Sequence, residues 1–242
     1  AGAVGQTDGG MLLEVLRDAG VDTRWIARVP EATGHAIIQR DPAGQNCILL
    51  FSGANQTITP EQARGVLGQF APGDWLMLQN EISAVEQLME LAHSMGIRIA
   101  FNPSPIDGKI SQLPLEKVEF FLLNEIEGAA LGGGNRPEEI LEGLKKRYPK
   151  AKIVLTLGKE GALYFDGEKT FFQPIFPVKA MDTTAAGDTF TGYFLEAVSR
   201  GLPGDVCLKR AAAASAIAVS RKGASPSIPD GAEVDAFLSE QK

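Results

Sequence analysis

From Thr59 to Leu157 the chain alternates short apolar runs with amphipathic ones, and few folds accept that alternation. Trp75 to Gln79, Ile97 to Phe101, Val118 to Leu123 and Lys152 to Leu157 read as strands. Ala84 to Ser94, Asn124 to Leu131 and Pro137 to Tyr148 show helical spacing between them. An earlier helix opens at Thr59-Pro-Glu-Gln62, with Thr as cap, Pro at the first position and Gln three residues beyond the cap. Strands separated by helices form a parallel sheet covered on both faces. The largely apolar character of 118–123 and 153–157 fits strands buried on both sides. The expectation is an α/β chain, a three-layer αβα arrangement around a mostly parallel central sheet.

The flanks add smaller pieces. Met11 to Ala19 has helical spacing and stops at Gly20. Trp25 to Val29 is a short strand. Gly34–Asp41 and Gln45–Phe51 flank Pro42-Ala43-Gly44, which predicts a β-hairpin. A second hairpin is expected from Ala162–Phe165 and Thr170–Gln173 around Asp166-Gly167. Helices over 188–200, 204–220 and 232–240 close the chain. Ala1 to Gly10 has no initiator Met and reads as a strand end with its loop, so a preceding segment is expected to be missing from the sequence.

Composition narrows the partners. With 242 residues, 44% hydrophobic and 22% charged, the sequence suits a soluble globular protein, expected in the cytoplasm. A net charge of −7 argues against nucleic acid held through its phosphates, and no apolar run reaches membrane-span length. Cys47 and Cys207 lie far apart without metal-ligand spacing and read as reduced thiols. No P-loop and no G-x-G-x-x-G fingerprint occurs. Two histidines, His35 and His93, leave little material for zinc or Ser-His-Asp chemistry.

The chemistry gathers in Val178 to Gly192, expected to begin as a short strand and end in the first turn of a helix. A run of small residues, Thr183 to Gly187, lies between Asp182 and Asp188. Small residues let backbone approach a ligand closely, and a helix start offers unpaired N–H groups and a positive dipole end to an anion. A carboxylate at Asp188 would repel that anion unless it has a task such as taking a proton from an attacking hydroxyl. Ligands of α/β sheets sit outside the carboxyl ends of the strands. Gln79–Glu81, Asn102, Asn124, Thr156–Gly158 and Asp182–Asp188 all follow such ends.

Asp182-Thr-Thr-Ala-Ala-Gly-Asp188 resembles the second signature of the ribokinase-like (PfkB) carbohydrate kinases, D-T-x-G-A-G-D, with Ala185 where the pattern has Gly. Ser52-Gly-Ala-Asn55, Asn102-Pro-Ser-Pro105, Asn124-Glu-Ile-Glu127, Thr156-Leu-Gly-Lys-Glu-Gly161 and Arg221-Lys-Gly-Ala-Ser-Pro-Ser227 resemble further segments of that family, in order. The family's N-terminal portion, with its first signature and sugar loop, has no counterpart. The resemblance implies one ribokinase-like domain over 1–242, incomplete at its N-terminus, with 33–52 as part of a β lid that covers the sugar and pairs with a second subunit.

It also implies roles. Asp188 would be the base, and the N–H groups of Ala185, Ala186, Gly187 and Asp188 an anion hole for the transferring phosphoryl group. Asn124 and Glu127 would help place Mg²⁺ and phosphate, although the same two residues also satisfy a helix cap with an acidic first turn. Thr156, Gly158 and Gly161 would line the ATP site, and Glu81 would hold a sugar hydroxyl. Asp182, Thr184, Val219, Lys222, Gly223 and Ser227 resemble a monovalent-cation (K⁺) site. The implied reaction is phosphoryl transfer from ATP to the 5-hydroxyl of D-ribose. The alternatives are another sugar, a sugar acid or a nucleoside as acceptor, or a non-catalytic sugar- or nucleotide-sensing relative.

Overall fold

The computed structural model describes residues 1–40 and 46–241. The turn expected at Pro42-Ala43-Gly44 and the side chain of Cys47 lie outside that description. The chain divides into two compact units, Ala1–Val118 and Glu119–Lys242.

In the first unit, β1 (Gly2–Gly5) pairs in parallel with β2 (Ile26–Val29), with α1 (Gly10–Asp18) between them in sequence. The hairpin strands β3 (His35–Arg40) and β4 (Asn46–Phe51) are antiparallel. α2 (Pro60–Leu67) begins with the expected capping box: Thr59 Oγ1 accepts from Gln62 N at 3.2 Å, and Gln62 Oε1 accepts from Thr59 N at 2.9 Å. β5 (Trp75–Gln79), α3 (Val85–Ser94) and β6 (Arg98–Asn102) follow, with β5 and β6 parallel.

The second unit holds β7 (Phe120–Asn124), α4 (Glu125–Gly132), α5 (Pro137–Arg147) and β8 (Lys152–Thr156), and β7 and β8 are parallel. β9 (Ala162–Phe165) and β10 (Thr170–Gln173) continue from β8 as an antiparallel pair, in the expected register. α6 (Ala186–Ser199), α7 (Gly204–Val219) and α8 (Gly231–Glu240) complete it. Phe120 to Leu123 and Ile153 to Leu155 are buried, as their apolar runs require. β7 starts two residues later than its pattern suggested.

The stretch 178–181, expected as a strand, is irregular. Pro174 and Pro177 remove two ladder donors just upstream. The backbone is anchored instead on the end of α7, where the Val219 carbonyl accepts from Met181 N at 2.7 Å and from Asp182 N at 3.2 Å. Among the described residues, no helix is long and apolar enough to cross a membrane.

Candidate active site

α6 is held by aromatic packing. Phe194 is fully buried and Phe190 nearly so. The Phe194 ring lies edge-on to Tyr164 at 4.8 Å and 6.3 Å from both Phe120 and Phe190. Burying each such ring is worth about 1.5–3 kcal/mol, so the helix start has a rigid support. α7 lies against α6 through a face of alanines, and Ser215 Oγ donates to the Ala186 carbonyl at 3.2 Å.

The helix begins at Ala186, two residues before its pattern, because Ala185-Ala-Gly carries no periodic signal. Its N-cap, Ala185, sits in the left-handed region (φ 59°, ψ 8°) and has no side chain that can cap. α2, α4 and α8, by contrast, each carry a full capping box. The Ala186 N–H makes a long bond of 3.3 Å to the Thr183 carbonyl. Among the described hydrogen bonds, the Gly187 N–H has no protein acceptor. Asp188 is exposed in the first turn. It lines a cavity of about 480 Å³ together with Thr189, Gly192, Tyr193, Arg210 and Asp235. Among the described residues, the buried Thr189 Oγ1 and Arg210 Nε lack hydrogen-bond partners, and both residues line this cavity.

Asp182 ties two distant loops together. One carboxylate oxygen accepts from Thr184 N at 3.0 Å and from Thr184 Oγ1 at 2.7 Å; the other accepts from Gly223 N at 3.1 Å. The 220–227 loop is fixed again from α8, where Arg221 donates to Glu233 at 2.5 and 3.4 Å and holds that carboxyl below its ordinary range. Ser227 is fully buried and its hydroxyl donates to the Ala224 carbonyl at 2.7 Å, while Lys222 is exposed.

Asn124 and Thr156 are register partners at the carboxyl ends of β7 and β8. Asn124 Oδ1 accepts from Glu127 N at 3.0 Å, and a Glu127 carboxylate oxygen accepts from Asn124 N at 2.9 Å. Glu127 is buried at 5% exposure while Asn124 is exposed. Of the two glycines after β8, Gly158 (φ 53°) faces open space, whereas a Cβ on Gly161 (φ 129°) would lie 2.1 Å from the Gln173 carbonyl. Gly161 is thus required by its packing on β10.

The pattern of the pfkB family carbohydrate kinases matches residues 1–231. The chain belongs to this family. It is therefore a carbohydrate kinase. It is 32% identical to the ribokinase of Bacillus subtilis (strain 168) over 236 residues, covering 96% of this chain and 78% of that protein. The crystal structure of a Thermotoga maritima ribokinase superimposes with a TM-score of 0.84 at 32% identity, covering 98% of this chain and 80% of the other. An Arabidopsis thaliana ribokinase complexed with ribose and ATP superimposes with the same TM-score at 30% identity and the same coverage. The mostly parallel, three-layer α/β fold of these enzymes is the fold of this kinase.

In this kinase the structure brings together, by hydrogen bonding, Asp182 with Thr184 and Gly223, and by register and capping, Asn124 with Glu127 and Thr156. Glu81 belongs to the first unit, in the exposed loop after β5, where its carbonyl accepts from Gln56 Nε2 at 3.0 Å. Sequence reading missed Ser215 and Glu233, which bond Ala186 and Arg221 from 29 and 12 residues away. Only the spacing of Asp188 and Gly192, one helical turn apart, could have marked the cavity.

Ala185 gives a direct test of the backbone at this point. A left-handed L-residue costs about 1–2 kcal/mol, and the extra freedom of unfolded glycine returns about 0.5–1 kcal/mol. Ala185→Gly is therefore expected to raise stability by about 0.5 kcal/mol, read from urea unfolding. A loss of stability would mean that the methyl group contributes packing that outweighs the backbone strain.

Proposed function

We propose that this kinase transfers the γ-phosphoryl group of ATP to the 5-hydroxyl of D-ribose. The observation that carries this reading is an exposed carboxylate, Asp188, in the first turn of a helix whose N-cap offers no side chain to its amides. The identity to ribokinases, and the ribose and ATP held by the Arabidopsis relative, support the choice of substrates. Asp188 takes the proton from the sugar hydroxyl as its oxygen attacks phosphorus. The N–H groups of Ala185, Ala186, Gly187 and Asp188 receive the oxygens of the migrating group, where fixed dipoles stabilise charge without reorganising. Glu81 holds a sugar hydroxyl, and Thr156, Gly158 and Gly161 border the nucleotide.

Asn124 and Glu127 fit a magnesium–nucleotide complex: both are oxygen donors held rigid by their mutual cap, and Mg²⁺ takes one or two such groups and keeps its waters. Bound Mg²⁺, held by these two residues, would offset the charge of the nucleotide's phosphates. The K⁺ site fits in part. Carboxylate and carbonyl oxygens gather over 182–184 and 219–227, yet the Asp182 carboxylate and the Val219 carbonyl already receive N–H groups. We propose K⁺ as an activator that orders this loop, and no step of the transfer passes through it.

ADP release measured over a panel of sugars, sugar acids and nucleosides tests the assignment, and ribose is expected to give the highest kcat/KM. Preference for another acceptor would move the kinase elsewhere in its family, and ATP binding without turnover on any acceptor would favour a sensor. The same assay is expected to run several-fold faster in K⁺ than in tetramethylammonium, and equal rates would remove the cation.

The β3–β4 hairpin is proposed as a lid that also pairs two subunits. Ile37 and Leu49 are register partners, and with Phe51 they put three side chains, each half or more exposed, on one face. An apolar two-stranded ribbon needs such cover. Light scattering is expected to give twice the 25.8 kDa chain mass, and a monomer at working concentration would end this proposal.

A further inference from the structure

The loop that follows β5, Asn80 to Ala84, carries Glu81 into α3 and is fixed from two sides. On one side Asn80 N donates to the Ser104 carbonyl at 3.0 Å, and Asn80 Nδ2 to the Pro105 carbonyl at 2.8 Å. On the other lies a short 3₁₀ turn, Gly53–Thr57. Its Asn55 carbonyl accepts from Ser83 N at 3.0 Å, and Gln56 Nε2 donates to the Glu81 carbonyl at 3.0 Å. Ser83 Oγ adds a bond of 2.7 Å to the Ile58 carbonyl. The backbone on both sides of Glu81 is thereby held, although Glu81 itself is exposed.

The start of α3 is at odds with its own sequence. Ser83-Ala-Val-Glu86 has the spelling of a capping box, Ser as cap and Glu three residues on. The structure does not use it. The N-cap is Ala84, and no side chain caps the helix. The Ser83 hydroxyl turns instead to the carbonyls of Asn55 and Ile58. Ala84 is left-handed at φ 59°, a region that L-residues avoid. Among the described residues, only Ala84 and Ala185 combine a side chain with a positive φ. One stands three residues after Glu81, the other three residues before Asp188. Strain of this kind persists where the surrounding contacts over-determine the backbone, and it gathers at functional sites. A solvated loop without a task has no reason to give up its cap.

We propose that Gln56 and Ser83 are positioning residues of this kinase. Through the Glu81 carbonyl and the Ser83 backbone they fix where the Glu81 carboxylate meets a hydroxyl of the acceptor sugar. This role rests on the assignment of Glu81 to the sugar and adds what holds it there. A carboxylate on a loose loop would lose freedom each time a sugar binds, whereas a loop already ordered does not. Both residues act on a group assigned to the acceptor, so their effect falls on acceptor binding and not on the nucleotide or on proton transfer.

Gln56→Met keeps the length of the side chain and removes its donor. Gln56 is exposed, so the variant should fold. Its KM for ribose is expected to rise about three- to tenfold, the equivalent of one lost hydrogen bond. Its kcat and its KM for ATP are expected to stay within about twofold of the parent, a split that a general loss of structure would not give. Ser83→Ala is expected to act in the same way through the lost bond to Ile58. Each is then combined with Glu81→Gln. In that background Gln56→Met is expected to add less than about twofold, because a residue that acts through another adds nothing once the other is gone. If Glu81→Gln leaves the ribose KM unchanged, the assignment of Glu81 falls and this role with it. If Glu81→Gln raises the ribose KM but Gln56→Met does not, or if their effects simply multiply, Glu81 keeps its assignment and the positioning role is overturned. An equal rise in the KM for ATP would overturn it as well.

Discussion

Asp188→Asn is expected to lower turnover by about 10²–10⁴-fold, the usual cost of losing a positioned general base. That corresponds to roughly 2.7–5.4 kcal/mol at the transition state. The substitution keeps the shape of the side chain and removes only its capacity to take the proton. Asp188 is exposed, and α6 is anchored by Phe190 and Phe194 rather than by its first turn, so folding should survive. Loss of a favourable charge at the helix start costs about 0.3–1 kcal/mol, a small change in the melting curve. KM for the sugar should move by a few-fold at most, because the proton is taken in the transition state and not on binding. Single-turnover rates with saturating ATP and ribose are the measurement. A mutant within a few-fold of the parent would take Asp188 out of the chemistry and leave it a dipole partner of its helix.

Glu127→Gln separates a metal role from a structural one. Glutamine keeps an acceptor for the Asn124 N–H, so the capping box at the start of α4 survives. What is lost is a charge on a buried group. Turnover is expected to fall by about 10–100-fold, as for groups that support a bound metal, and the Mg²⁺ concentration for half-maximal rate to rise in parallel. The melting temperature should drop by no more than about 2–4 °C, the equivalent of about 1 kcal/mol in a chain of this size. Asn124→Ala is the contrast, since it removes the cap itself at a cost of about 1 kcal/mol. If Glu127→Gln leaves the Mg²⁺ dependence unchanged, the pair is a helix cap and nothing more.

The parts of the site that could be read early are those built from neighbours in sequence. The Asn124 and Glu127 cap closes within one turn, and so does the Thr59 and Gln62 cap, and both were visible as spacing. The β9–β10 hairpin was placed residue by residue because its turn and its alternation lie in twelve consecutive positions. The run Asp182 to Asp188 announced itself by composition. Its conformation did not: the strand expected over 178–181 is absent, and the backbone there follows the Val219 carbonyl, 38 residues downstream of Met181. Nor does Ala185 betray its positive φ, since a left-handed turn is signalled by glycine, asparagine or aspartate and not by alanine.

The sequence by itself determined the alternating α/β order, two capped helices and the acid at the mouth of α6, because each depends on hydrogen bonds and periodicities that span a few residues. Only the tertiary structure decided that Asp182 holds Gly223 across 41 residues, that Ser215 steadies the first turn of α6, and that Gly161 has no room for a methyl group. Those features arise where segments remote in sequence meet, and a local pattern holds no record of which edges end up side by side.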